Sequence, residues 1–340
     1  MSEKPRISVL IDTYNYGRYV EQAIESVLEQ DFAAEEVLVV DDGSTDDTRE
    51  RVKKYGERVR YLYKENGGQA SAFNYGMARV RGEWVALLDA DDYWLPGKLR
   101  RVAEACEKNP EAGLVYHGFR EYVEARGEWR DGDFSPVSGR PLGDREQMLR
   151  YLAAQTSGLT FGMKELRRLL PMSERLTTQA DALLSALIVF FAPVVALPEP
   201  LAVYRIHGKN LYFQEAGSVD RERQERRALV SRCLIEEMDE WLRRQGFDVR
   251  EKSTLAFRRR WKLVLERDEF VLEPPGRWKF FLHQVRAMHT MGPCLNWKIQ
   301  VGNAIKASRA LLVGYGSGPR VPSKSRAPAV AESQTSTGGR

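Results

Sequence analysis

An acidic cluster, Asp89-Ala90-Asp91-Asp92, places three carboxylates within four positions directly after an apolar run. Carboxylates at that density are costly at the end of a buried strand unless a cation neutralises them. Mg²⁺ and Mn²⁺ prefer one or two protein carboxylates together with phosphate oxygens. The cluster therefore predicts a divalent metal site that acts as a Lewis acid toward a departing diphosphate. A solvated acidic turn before the next helix is the alternative that these residues leave open.

Two other polar clusters also follow apolar runs. Asp41 and Asp42 follow EVLVV, and carboxylates there can accept hydrogen bonds from a nucleotide base N–H or from ribose hydroxyls. A plain strand-to-helix turn is the alternative for this pair. Asn66, Gly67 and Gly68 stand just before a predicted helix, where free backbone N–H groups favour an anion. Neither cluster is a dinucleotide fingerprint or a P-loop, because no GxGxxG follows the first strand and no Gly-Lys-Ser/Thr triplet occurs.

The elements that must position these clusters alternate along the first third of the chain. Apolar, β-rich runs such as ISVLI (7–11) and EVLVV (36–40) alternate with helical patterns such as YVEQAIESVLEQ. Strands separated by helices predict an α/β fold whose mostly parallel sheet has helices on both faces. Ligands of such sheets bind beyond the carboxyl ends of the strands. The clusters DTYN, DDGSTDD, ENGG and DADD should therefore converge on one edge of the sheet.

The whole-chain composition narrows the function class only a little. The 340 residues are 43% hydrophobic and 29% charged, and a net charge of +4 is too small to indicate nucleic-acid binding. Three scattered cysteines without a CxxC pair favour a reducing cytosol and give no sign of zinc. The first residues show no signal-peptide pattern. The apolar stretch 182–197 falls short of the roughly 20 residues that cross a bilayer, so we predict buried helix and strand there.

Four segments together carry a family resemblance. They are SVLIDTYNYGRYVEQAIESVLEQ, VLVVDDGSTDDT, ENGGQASAFNYGMARVRGEWVALLDADD and LPEPLAVYRIHGKN, in consistent order over residues 7–210. These segments resemble the family 2 glycosyltransferases of GT-A fold. The resemblance implies inverting transfer of a sugar from a nucleotide-diphosphate sugar, with a UDP-type donor favoured and Mn²⁺ or Mg²⁺ as the metal. It further implies a hydroxyl acceptor, such as a glycan or a lipid-linked glycan, in glycan or polysaccharide biosynthesis.

The resemblance also implies a nucleotide-sugar site at the predicted sheet edge. Asp89 would face the ribose and also contact the metal as a ligand, Asp91 would be the principal metal ligand, and Asp92 would be a secondary one. Donor contacts are expected at Asp12, Thr13, Tyr14, Asp41, Asp42, Asn66, Gly67, Gly68, Asp89 and Ala90. Asp12 stands where the family commonly has a small residue or proline, so its carboxylate either binds the donor or repels it.

The family's general base is usually an Asp at the start of a helix upstream of an EPL-x-x-YR-x-H segment. Asp181 in TTQADALLSAL takes that place, although alanines replace the usual preceding acid and following aromatic residue. An Asp there can remove the acceptor proton as the new bond forms, with a helix N-cap as the alternative. His207 resembles a His that approaches the metal or diphosphate in some relatives, with an ordinary hydrogen-bonded histidine as the alternative. Arg205 and Lys209 either bring positive charge to the diphosphate or belong to a solvated loop.

We divide the chain into regions on these grounds. They are a GT-A catalytic domain (1–215) with a nucleotide-sugar-binding half (1–120) and an acceptor half (121–215), a helical and basic region (216–315), and a disordered tail (316–340). Within the acceptor half, residues 124–144 are predicted as loop or a short hairpin.

The basic region mixes arginine and lysine with aromatic residues. Trp278, Phe281, Leu282 and Val285 share one face of a predicted helix. Such helices can lie in an anionic membrane interface, but we favour a small helical bundle packed on the catalytic domain. We therefore expect a cytoplasmic protein, with peripheral contact at the inner face of the membrane as the alternative.

Two other functions stay open at this point. A protein of the same fold that binds nucleotide sugars, or docks on a membrane, without turnover would fit the departures at Asp12 and around Asp181. A nucleotidyltransferase also uses acidic metal sites on α/β folds, but a Gly-rich, basic loop does not follow the first strand.

Overall fold

The computed structural model of the protein describes residues 4–132, 138–139, 155–210 and 221–248, together with individual positions between 258 and 286. In chain order the strands and helices are β1 (Ile7–Thr13), α1 (Gly17–Leu28), β2 (Glu36–Asp41), α2 (Thr48–Lys53), β3 (Arg60–Tyr63), α3 (Gln69–Met77), β4 (Trp84–Asp89), β5 (Tyr93–Trp94), α4 (Lys98–Lys108), β6 (Leu114–Val123), β7 (Glu128–Asp131), β8 (Leu159–Gly162), α5 (Met163–Leu166), α6 (Ala180–Ile188), β9 (Val194–Ile206) and α7 (Arg221–Arg244).

The strands form one sheet in the order β3-β2-β1-β4-β8-β6-β9-β5, with β7 paired to β6 outside this path. The strands β3, β2, β1 and β4 run parallel to one another, as the alternation of strands and helices predicted. In the second half, β8 lies antiparallel between β4 and β6, and β6 is parallel to β9. The predicted α/β fold is confirmed, and the predicted hairpin after β6 is present where β7 pairs antiparallel with it.

The register of the parallel strands brings the polar clusters to one level. Asp12 pairs with Asp89 across β1 and β4, and Thr13 pairs with Asp41 across β1 and β2. The pairing continues past β4, where the Ala90 N–H donates to the Asp12 carbonyl at 3.1 Å. The clusters therefore converge on one edge of the sheet, as predicted from the carboxyl ends of the strands.

Apolar side chains fill both faces of the sheet because neighbouring residues on a strand point to opposite sides. Ile11 and Leu88 pack with α1 and α4 on one face. Leu10 and Leu87 pack with α3, α6 and α7 on the other. Continuous apolar runs are typical of strands buried on both faces. This packing holds in place the sheet edge that carries the site.

The first helix of the predicted basic region joins this core. Leu234 and Leu242 of α7 are fully buried and belong to the same apolar cluster as α6. Trp278 and Leu282 are exposed, at 70% and 46%. Phe281, Val285, the predicted tail 316–340 and most of residues 249–315 lie outside the described residues.

The apolar stretch 182–197 forms most of α6 and the start of β9, as predicted. Among the helices of the described residues, none has the length and apolar character needed to cross a membrane.

Candidate active site

A cleft of about 810 Å³ opens at the edge of the sheet where the polar clusters meet. Its walls come from the ends of β1 and β4, the starts of α3 and α6, the turn after β9, and α7. The predicted site residues that line it are Asp12, Thr13, Tyr14, Asp42, Asn66, Gly68, Asp89, Ala90, Asp91 and Asp181. The other predicted site residues lie next to these without lining the cleft. They are Asp41, Gly67, Asp92 and His207.

Three of the acids are close enough to share one cation. Asp89, Asp91 and Asp92 each offer a carboxylate oxygen, and these atoms lie within 4.8 Å of one another. Asp12 adds a carboxylate beside Asp89, and its Oδ1 has no hydrogen-bond partner among the described residues. Burial raises the pKa of Asp12 to about 7. Burial also raises the pKa of Asp89 well above its usual range, and the charge of Asp12 adds to that shift. Crowded carboxylates with an unpaired oxygen fit a hard divalent cation, which would favour their ionised forms.

His207 reaches the acid cluster as a hydrogen-bond partner of Asp91. Its Nε2 lies 3.0 Å from Asp91 Oδ2, and its Nδ1 accepts the Lys209 backbone N–H at 3.3 Å. A neutral ring that accepts at Nδ1 carries its proton at Nε2, so the imidazole donates to Asp91. The rings of Tyr16 and Tyr19 lie against it, with centroids 5.7 and 4.9 Å away. In this arrangement His207 orients Asp91, and the predicted direct contact with a metal would require the other tautomer.

Asp92 is held from two sides. Its Oδ2 accepts the Ser157 hydroxyl at 2.6 Å, and its Oδ1 accepts the Arg205 backbone N–H at 3.0 Å. The Arg205 side chain donates from Nε to the Asp91 carbonyl at 2.8 Å. Arg205 therefore holds the acidic loop, residues 89–92, in place and is not among the residues that line the cleft. Lys209 does line it and is exposed.

The Asp42 carboxylate occupies the anion site that was predicted at the start of α3. Its oxygens accept the backbone N–H groups of Gly67 at 3.0 Å and Gly68 at 2.7 Å, and the Lys64 ammonium at 2.7 Å. The Asn66 side-chain amide donates to the Asp42 carbonyl at 2.9 Å. The prediction that these N–H groups are free for a donor phosphate is thus corrected, because an anion of the chain itself already binds them.

Asp41 has a structural role instead of the predicted donor contact. Its Oδ1 accepts the Ser44 N–H at 2.7 Å, and its Oδ2 accepts the Tyr61 hydroxyl at 2.6 Å. Both carboxylate oxygens thus fix the turn after β2. Of the adjacent pair, only Asp42 borders the cleft.

Asp181 lies in the first turn of α6 and borders the cleft. The N-cap of α6 is Gln179, so the interpretation of Asp181 as the N-cap is wrong. Asp181 Oδ2 accepts the Thr156 hydroxyl at 3.1 Å. Burial raises the pKa of Asp181, and hydrogen bonds from first-turn N–H groups and from Thr156 oppose the shift. A carboxylate whose pKa is raised is a stronger base once it is ionised.

Contacts that the motifs did not reveal join the start of α3 to the residues just before Asp181. Gln69 Oε1 accepts the Ala180 N–H at 3.0 Å, and the Gln69 N–H donates to the Thr177 carbonyl at 2.9 Å. Gly68 has a φ of 84°, and a Cβ there would lie 2.5 Å from Thr177 Cα. Ala180 is 111 positions from Gln69, so no local sequence signal indicates this contact.

Asp181 and the carboxylates at the ends of β1 and β4 share one electrostatic environment. The charge of Asp181 contributes to the raised pKa values of both Asp12 and Asp89. Chemically, the cleft combines an acid cluster that could hold a divalent cation with a separate carboxylate, Asp181, that could take a proton.

Comparison with known proteins agrees with this geometry. Residues 8–169 match the model of glycosyl transferase family 2. An uncharacterized glycosyltransferase of Nostoc sp. (strain PCC 7120) is 31% identical over an alignment of 256 residues that covers 72% of this chain and 78% of that protein. The chain belongs to glycosyl transferase family 2.

This family 2 glycosyltransferase also resembles solved transferases in fold. S. aureus TarS in complex with UDP-GlcNAc has a TM-score of 0.55 at 18% identity, covering 91% of this chain and 92% of that one. The mannosyltransferase PcManGT from Pyrobaculum calidifontis, in complex with GDP-Man and Mn²⁺, has a TM-score of 0.54 at 17% identity, covering 92% and 88%. These neighbours confirm the predicted GT-A fold, and membership of the family removes the nucleotidyltransferase alternative for this glycosyltransferase.

Proposed function

We propose that this glycosyltransferase transfers a sugar, with inversion, from a UDP-type nucleotide sugar to a hydroxyl acceptor in glycan or polysaccharide synthesis. The observation that carries the proposal is that the acid cluster and Asp181 border the same cleft. A metal site alone would fit a binding protein. A separate carboxylate of raised pKa in the same cleft would supply the base that a transfer reaction needs.

The nucleotide is proposed to lie along the ends of β1 and β2. Tyr14 is 47% exposed and offers a ring face at the cleft, while the Thr13 hydroxyl is buried without a partner in the described part of the chain. Asp89 stands at the end of β4, where its carboxylate could accept from ribose hydroxyls. TarS was solved with UDP-GlcNAc, which supports a UDP-type donor.

We infer that Asp91 and Asp89 would hold Mn²⁺ or Mg²⁺, with Asp92 as a further oxygen ligand. His207 and Arg205 would keep the acidic loop in position through their contacts with Asp91. When bound, the cation would neutralise the charge that develops on the departing diphosphate. Mn²⁺ in the PcManGT complex supports this assignment. Lys209 would add positive charge at the same end of the cleft.

Asp181 is proposed to act as the general base. The acceptor hydroxyl gives its proton to the Asp181 carboxylate while its oxygen forms a bond to the anomeric carbon of the donor. The bond from that carbon to the diphosphate oxygen breaks in the same step, and the nucleoside diphosphate leaves with the bonding electrons. Because attack comes from the side opposite the leaving group, the anomeric configuration inverts.

Product analysis tests the proposal. The protein is incubated with a panel of UDP- and GDP-sugars, Mn²⁺ or Mg²⁺, and octyl glycosides as hydroxyl acceptors. We expect a glycoside of inverted configuration by NMR, together with release of the nucleoside diphosphate. Asp47→Asn, at an exposed side chain outside the cleft, should behave as the parent. Retained configuration would contradict the single displacement, and donor binding without turnover would favour the nucleotide-sugar-binding alternative.

A further inference from the structure

Gln179 borders the cleft two positions before Asp181 and has no part in the reaction proposed above. The residue is 6% exposed, and its backbone has a φ of 63°, in the left-handed region. Residues other than glycine rarely adopt that conformation, and those that do cluster at ligand sites. The local fold holds Gln179 there because its carbonyl accepts the Leu183 N–H at 3.2 Å and so begins α6.

The Gln179 amide is satisfied at one end only. Its Nε2 donates to the Ser231 hydroxyl oxygen of α7 at 3.1 Å. Its Oε1 is buried and meets no hydrogen-bonding group within the part of the chain that the structure describes. A buried amide oxygen without a donor is unfavourable. The space that Gln179 borders, and from which a donor can come, is the cleft.

We propose that the free end of the Gln179 amide binds a hydroxyl group of the sugar acceptor and so sets the acceptor beside Asp181. This inference rests on the proposed function, since it assumes that Asp181 receives the proton of a hydroxyl acceptor. A hydroxyl group both donates and accepts, so it suits the amide in either of its two orientations. A phosphate or carboxylate oxygen would suit only one.

The proposal also makes α7 part of the acceptor site. Ser231 holds the Gln179 amide, and Leu229 and Val230 on the same helix line the cleft. Leu229 is 58% exposed, so an acceptor there would meet an apolar side chain beside the hydrogen-bonding amide. Sugar rings present this combination of hydroxyl groups and C–H surface. The described part of the predicted basic region thus contributes to specificity as well as to packing.

The test compares transfer with hydrolysis. The nucleotide sugar that gives the largest thermal shift with Mn²⁺ is the donor, concentrated glycerol is the hydroxyl acceptor, and mass spectrometry gives the ratio of glycoside to free sugar. Gln179→Gly removes the amide and relieves the left-handed backbone, and its thermal midpoint measures how far that relief offsets the lost contact with Ser231. Gln179→Asn tolerates the same backbone and keeps a shorter amide. Ser185→Ala, on α6 but outside the cleft, is the matched control.

We expect the ratio to fall about tenfold in Gln179→Gly and by less in Gln179→Asn, the effect of losing or weakening one hydrogen bond. Donor hydrolysis and the donor-induced thermal shift should match the parent in both variants. An equal ratio in the parent and in Gln179→Gly, including the case in which neither forms a glycoside, overturns the proposal. Asp181→Asn separates the two proposals. If this variant keeps the parent rate of transfer, the proposed base is wrong. If Asp181→Asn loses activity while the ratio in Gln179→Gly equals that of the parent, only the present inference is refuted.

Discussion

At the scale of single residues, adjacent positions in one motif have different tasks. Asp41 and Asp42 are both acidic, but the Asp41 carboxylate is bound by Ser44 and Tyr61, while Asp42 binds the turn before α3 at the cleft. The sequence identified an acidic pair at a strand end. Asp41 is turned away from the cleft by its contact with Tyr61 of β3, and no local pattern contains a contact between strands.

Asp181→Asn should abolish most of the transferase activity. The amide keeps the size of the side chain but cannot accept the hydroxyl proton, so we expect the turnover rate to fall by about 10²- to 10⁴-fold. Donor affinity should change little, because Asp181 is proposed to act on the acceptor hydroxyl and not on the diphosphate. Initial rates and donor titration measure the two quantities. A turnover rate within a few-fold of the parent would exclude Asp181 as the base.

Thr156→Val should move the acidic limb of the pH–rate profile to higher pH. Only the ionised form of Asp181 accepts a proton, so activity rises with pH through its pKa. Burial already raises that pKa above the ordinary value of 3.8, and the Thr156 hydroxyl opposes the shift. Removing the hydroxyl takes away that opposition, and the pKa rises further. A limb that moves to lower pH, or does not move, would show that another group controls it.

At the scale of elements, the sequence predicted the strands and helices of the first half of the fold, but not the tertiary contacts between distant elements. Apolar runs and helical spacing gave the parallel strands, because these patterns are local. The antiparallel insertion of β8 between β4 and β6, and the contact of α3 with the loop before α6, depend on residues far apart in the chain. The site therefore combines strand ends that the sequence predicts with the start of α6, whose position depends on tertiary contacts.

Gly68→Ala tests the packing contact between the start of α3 and the segment before α6. Gly68 has a positive φ, and the added methyl group would lie 2.5 Å from Thr177 Cα, so the segment that leads into α6 and Asp181 must move. We expect a loss of about 1–3 kcal/mol in the free energy of unfolding and a lower turnover rate. Chemical denaturation and initial rates measure the two effects.

Gly127→Ala is the matched control for this substitution. Gly127 also has a positive φ, but a Cβ there would meet nothing within 4 Å. It should lose only the backbone contribution, of about 1 kcal/mol, and keep its activity. Equal losses of activity in the two variants would refute the packing of Gly68 against Thr177 as the cause.

At the scale of the whole molecule, α7 and the GT-A domain share one core. Basic composition and helical spacing predicted a helical region after residue 215, packed as a small bundle on the catalytic domain. The fully buried Leu234 packs in the cluster that also contains Leu184 of α6. Amphipathic spacing predicts that a helix has an apolar face, but it does not say which surface that face meets.

Leu234→Ala should destabilise the whole catalytic domain. Truncation of a fully buried leucine leaves a cavity, which costs about 2–5 kcal/mol in the free energy of unfolding. Unfolding should remain a single transition in the described core, because α7 and α6 share that cavity. Leu229→Ala, at an exposed position on the same helix, should change stability by less than about 0.5 kcal/mol. Two separate transitions in denaturant, with only one sensitive to Leu234→Ala, would show that α7 folds independently.

Calorimetric titration of UDP, with and without Mn²⁺, tests most directly whether the acid cluster and the diphosphate share one cation. In the parent, Mn²⁺ should strengthen UDP binding by about tenfold or more, because a bridging cation neutralises the diphosphate beside the carboxylates. Asp91→Asn should abolish that enhancement, and Asp47→Asn, outside the cleft, should keep it. The same enhancement by Mn²⁺ in Asp91→Asn as in the parent would contradict a metal-bridged donor site at this edge of the sheet.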